Sequence, residues 1–122
     1  MRNIMKITIP VSVGELIDKI TILEIKALFT NNEYVKKELK ELKQIQNTIT
    51  QSILQETNQL REVNQSLWKV EDELRQKEKL QVFDEEFIEL ARSVYKLNDK
   101  RAEIKKEINE ICNSSYQEVK LY

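Results

Sequence analysis

Residues 39–74, LKELKQIQNTITQSILQETNQLREVNQSLWKVEDEL, decide the fold. Leu39, Leu42, Gln46, Ile49, Ile53, Glu56, Leu60, Val63, Leu67, Val70 and Leu74 recur at alternating spacings of three and four. Such spacing lays a stripe along one face of a slightly supercoiled helix. No Gly or Pro interrupts it, so the reading favours one long helix over 31–79. Such a helix of ~45 residues would span ~70 Å. The part rich in Thr, Ser, Asn and Gln is weaker in helix propensity and offers an alternative break near Thr57.

Working outward, Ser12 and Glu15 form a capping box with Val11 and Leu16 as its hydrophobic staple, which starts a helix over 12–28. Thr30 and Glu33 form a second box, with Phe29 and Tyr34 as staple, so 29–32 is a tight corner. Leu80–Phe83 is the next corner, and Asp84 is the N-cap of a helix over 84–112. Its seam is Phe87, Leu90, Val94, Leu97, Arg101, Ile104, Ile108 and Ile111. Short corners make consecutive helices antiparallel neighbours. Ile4–Ile9 and Tyr116–Tyr122 alternate and are rich in β-formers. A lone strand has unpaired backbone groups, so the two ends are expected to pair with each other or with a second subunit. The expected fold is mainly α: antiparallel helical hairpins in a coiled-coil-like bundle, with short paired strands at 4–9 and 116–122, in one domain over 1–122.

Composition narrows the function classes. Charged residues are 34% and hydrophobic ones 40%, with a net charge of −1. Lys36–Lys43 and Lys100–Lys106 are interrupted by Glu38, Glu41, Glu103 and Glu107, so no concentrated basic face is available to nucleic acid. The chain has one Cys and no His. That removes His-based triads and proton shuttles and most zinc or iron sites, and neither a metal nor a cofactor is expected. Cys112 ends an apolar stripe and reads as a small core residue. A lone Cys, no signal-peptide core and no apolar run of ~20 residues point to the cytoplasm and away from a membrane.

A few polar residues sit oddly in this pattern. The first helix is apolar on two sides, with Leu16, Ile17, Ile20, Leu23, Ala27 and Leu28 on one broad arc and Ile22 and Ile25 opposite. It is therefore expected to be sandwiched, by the terminal strands or by another chain. Glu24 falls inside the main arc, with Asp18, Lys19 and Lys26 at its rim. A buried ion pair or an edge position is the plainer account of Glu24; a ligand-binding carboxylate is the sharper one. Arg101 occupies a seam position opposite Val63 and Asn64, with Trp68 and Asp72 further along and Arg92, Tyr95, Asn98 and Asp99 nearby. Polar seam residues usually fix register. The alternative is a site for an anionic or planar ligand between helices, built from Glu24, Asn64, Trp68, Asp72, Arg92, Asp99 and Arg101.

Four segments look familiar: PVSVGELIDKITILEIK (10–26), VNQSLWKVED (63–72), FIELARSVY (87–95) and NDKRA (98–102), with Tyr122. They resemble a family of small uncharacterised bacterial and viral proteins, a domain of unknown function. The resemblance covers most of the chain apart from the middle of the second helix. It implies a stand-alone domain of about this length and supplies no catalytic residue. The expected role is a helical interaction or scaffold module that self-associates or docks on a protein partner, more non-enzymatic than enzymatic. The alternative is a small-molecule binder or helical enzyme with its site around Arg101 and Trp68.

Overall fold

The computed structural model describes residues 4–122, and among them are four helices and no strand. They are α1 (Val13–Phe29), α2 (Glu33–Gln46), α3 (Leu54–Leu80) and α4 (Glu85–Ile111). The mainly helical class holds, but the paired terminal strands do not form. Residues 4–11 and 115–122 lack any backbone ladder. Alternation alone makes a strand only where a second backbone supplies partners. The segment after α4 is instead held by side chains: Glu118 pairs with Lys105 and Lys120 with Asp99.

The long helix expected over 31–79 is two helices, divided at 47–53. In this Thr- and Ser-rich stretch, side-chain oxygens compete for backbone groups. Thr48 Oγ1 donates to the Ile45 carbonyl at 2.6 Å, where the helix gives way. The corner before α2 is also capped differently from the expected Thr30 box: Asn32 Oδ1 accepts from the Tyr34 N–H at 2.8 Å. At α1, Ser12 Oγ accepts the Glu15 N–H at 3.1 Å as expected, but the Glu15 carboxylate reaches across to Lys105 at 2.8 Å rather than back to the cap.

The core gathers Leu16, Ile17 and Ile20 of α1 with Ile53, Leu60, Val63, Ile104 and Ile108. α1 touches every other helix, whereas α2 touches only α1. The two-sided apolar character of α1 is thus explained within the chain: α2 covers one flank and the α3–α4 hairpin the other. Gly14 N–H donates to Asn109 Oδ1 and Asp18 bonds Arg101, so α1 runs antiparallel to α4. The core occupies only one end of the hairpin. No residue from Gln65 round to Glu103 is buried. From Trp68, α3 runs on for ~18 Å to Leu80 at ~1.5 Å per residue.

The hairpin corner is tightly specified. Gln81 takes a left-handed conformation (φ 56°), and the Val82 N–H donates to the Lys77 carbonyl at 2.9 Å. This pattern closes a helix C-terminus. Asp84 Oδ1 then accepts the Phe87 N–H at 2.9 Å, and Lys77 Nζ lies 3.0 Å from the same carboxylate. The Phe87 N–H first, then Lys77, hold the Asp84 carboxyl below its ordinary value of 3.8. A lowered carboxylate pKa contributes stability above the unfolded value and loses it as pH falls through the folded one. Asp84→Asn keeps the cap acceptor and removes the charge. The stability advantage of wild type over this variant is therefore expected to be full at neutral pH and to fade below pH 3.8. Thermal melts of both proteins across that range check it, and a pH-independent difference counts against the charged cap.

A buried polar junction between three helices

α1 carries Asp18 and Thr21 one turn apart, and both point into the seam between α3 and α4. Asp18 is 1% exposed and Thr21 wholly buried. Neither can remain there unpaired. Arg101 of α4 meets Asp18 side-on: its Nε donates to Oδ1 at 2.8 Å and a terminal nitrogen donates to Oδ2. Asn64 of α3 donates its amide to Asp18 Oδ1 at 2.9 Å and to Thr21 Oγ1 at 2.8 Å. Thr21 Oγ1 in turn donates to the Asp18 carbonyl at 2.8 Å. The hydrogen bonds to Asp18 raise the Arg101 pKa further above its already high ordinary value, against desolvation. The guanidinium thus stays charged at all working pH.

A second ionic group lies one turn along α4. The Lys105 side chain is 8% exposed, with Nζ 2.8 Å from Glu15 and 3.0 Å from Glu118. Burial, the largest single influence, pushes this lysine down, but its hydrogen bonds to Glu15 and Glu118 together with the charges of Asp18 and Glu15 raise it. Beside it α1 approaches α4 through Gly14, whose N–H lies 2.6 Å from Asn109 Oδ1. A Cβ at Gly14 would meet the Lys105 carbonyl oxygen at 2.6 Å.

Three open grooves meet at Arg101. One, of about 430 Å³, runs over Ile22, Ile25 and Leu67 past Trp68 and Asp72. One of about 790 Å³ lies under the segment after α4, beside Tyr95, Ala102 and Lys105. A third, of about 280 Å³, opens toward Lys19 and Glu38.

The structure sorts the sequence candidates. Asn64 and Arg101 meet at one carboxylate. Trp68 and Asp72 line the first groove; Trp68 is 38% exposed and stacks on Phe29 with ring centroids 5.5 Å apart. Glu24 stands apart from the junction, paired with Arg61 at 3.2 Å. Asp99 is exposed and bound to Lys120 at 2.8 Å. Arg92 is exposed and has no part in the junction. Sequence reasoning missed Asp18, read as a rim residue, and with it Thr21, Lys105 and Asn109. The available signal was Gly14, a glycine inside a helical pattern, which marks close backbone approach. Among the described residues no group of His, Cys, Asp and Glu could hold a metal ion. The junction binds helices to one another: both Asp18 oxygens and two Arg101 nitrogens are engaged with each other.

No described helix is long and apolar enough to cross a membrane. A family model described as "Family of unknown function (DUF6165)" matches residues 5–122. No curated protein and no solved structure matches the chain.

Proposed function

The chain belongs to the family of unknown function DUF6165, and we propose that it is a helical interaction module that pairs with a second copy of itself through the distal half of the α3–α4 hairpin. The carrying observation is a seam without a lid. Val70, Leu74, Phe87, Leu90 and Val94 are only half-buried, and Phe83, Ile88 and Tyr95 beside them are more than half exposed. Two helices cannot enclose their own seam, and an apolar surface of this kind on a soluble protein marks an interaction site.

The charge pattern favours a second copy as the occupant. Along α4, Glu85, Glu86 and Glu89 near the corner give way to Arg92, Lys96 and Lys100 toward the core. Two such helices side by side and antiparallel set each acidic stretch against the partner's basic one. That self-complementarity is what a two-fold interface needs. A cytoplasmic setting fits the lone, half-buried Cys112.

Light-scattering mass across a concentration series tests this reading. A mass of two 14.5 kDa chains is expected. Ile88→Glu, on an exposed position, is expected to return the monomer mass with helical circular dichroism unchanged. A monomer mass at every concentration sinks the proposal. A second reading, a small-molecule site between helices, draws support from the convergence of grooves at Arg101, although Asp18 already neutralises that cation.

A further inference from the structure

The segment after α4 turns back at Asn113 (φ 50°) and is anchored at Ser114, whose Oγ accepts the Val13 N–H at 3.1 Å. From Ser115 onward every residue is exposed. Its charged ties to the helices are Glu118 on Lys105 and Lys120 on Asp99. The Lys120–Asp99 pair is exposed and contributes little, because water and salt compete for both partners. Glu118 is half-exposed while the Lys105 ammonium it holds is nearly enclosed. A lightly held segment therefore delivers one carboxylate to a buried cation at the wall of a groove of about 790 Å³. Ligand pockets fall in the same range, at roughly 300–1,000 Å³.

We propose that this groove binds a small aromatic carboxylate, whose carboxylate replaces Glu118 on Lys105 Nζ, Glu118 being the built-in occupant when no ligand is present. The chemistry selects the class. Exchanging one monoanionic carboxylate for another leaves Lys105 with the same two partners. A dianionic phosphate would need a second free cation, and the groove's others are taken, Arg101 by Asp18 and Lys120 by Asp99. Val94, Tyr95 and Ala102 give an apolar and aromatic wall for the body of the ligand. Val94 and Tyr95 also belong to the proposed pairing face, but Lys105 and Glu118 lie outside it, so the charge variants test this inference separately from self-pairing.

Benzoate is the probe, titrated by calorimetry at constant ionic strength with chloride as the control anion. If Glu118 fills the site ~90% of the time, apparent affinity is reduced about tenfold, and Glu118→Gln restores it. The expected results are a tenfold tighter benzoate complex for Glu118→Gln and loss of binding for Lys105→Met. Ala102→Leu fills the groove without touching a charge and is also expected to weaken binding, which keeps the test decisive should Lys105→Met fail to fold. Benzoate that binds Glu118→Gln no tighter than wild type, or not at all, overturns the proposal. Binding indifferent to Ala102→Leu does the same.

Discussion

Arg101→Ala is expected to lower the unfolding midpoint by on the order of 10 °C, at ~4 °C per kcal/mol for a chain of this size. The loss comes less from the arginine than from what it leaves behind. Asp18, 1% exposed beside Arg101, is left with only the Asn64 amide and no bonded counter-charge. Removing one partner of a buried ion pair costs ~3–5 kcal/mol. The Arg101 side chain is 28% exposed, so water entering its place softens the loss toward ~3 kcal/mol. Arg101→Lys is expected to recover little, because a point charge cannot bridge two carboxylate oxygens as the guanidinium fork does. Adding Asp18→Asn to Arg101→Ala removes the stranded charge and is expected to regain part of the midpoint. Melts of the single and double variants decide it: a double variant less stable than Arg101→Ala would falsify this account.

Gly14→Ala is the second large effect, and its sign is diagnostic. In an unobstructed helix interior this change stabilises by up to ~1 kcal/mol. Here the new Cβ would lie 2.6 Å from the Lys105 carbonyl oxygen and 3.0 Å from Asn109 Oδ1. The first of these is backbone and cannot swing aside. α1 must lift from α4, stretching the Gly14–Asn109 hydrogen bond, at an overpacking cost of ~1–3 kcal/mol. A fall in denaturant midpoint with unchanged slope is expected. A rise would mean that α1 and α4 are not in contact at this point.

Both predictions rest on α1, the helix whose surroundings the sequence revealed least. The Ser12 and Asp84 caps were legible because each accepts a backbone N–H three residues on; the Thr30 box was not, since Asn32 caps α2 and Glu15 turns from its own box to Lys105. The α3–α4 seam was legible because it repeats over many turns. The division at 47–53 was not, for a physical reason. Ile49 and Ile53 keep the heptad spacing and pack on the core from outside any helix. Spacing records which residues are buried, and an irregular segment can bury the same ones. The terminal segments alternate like strands, but pairing is a non-local property that alternation cannot supply.

The candidate site divides along the same line. Asn64 and Arg101 showed themselves as polar residues in an apolar seam. Asp18 reads as a rim residue when α1 is taken around its main apolar arc. With α2 on one flank and the hairpin on the other, the rim of that arc is the inner face of the second contact. Trp68 and Asp72 share a groove with Arg101 whereas Arg92 does not, and counting along the hairpin alone does not show where α1 stops covering it.

The separation in sequence of the junction's partners carries a consequence for folding order. Asp18 and Arg101 are 83 residues apart, and Gly14 and Asn109 are 95 apart, whereas α3 and α4 are joined by a four-residue corner. Closing a long loop costs more chain entropy than closing a short one. The hairpin is therefore expected to assemble early, with α1 docking after the rate-limiting step. On that order the Arg101→Ala destabilisation appears as faster unfolding, with the folding rate little changed. The junction then acts as a latch on the lifetime of the native state rather than a guide to reaching it.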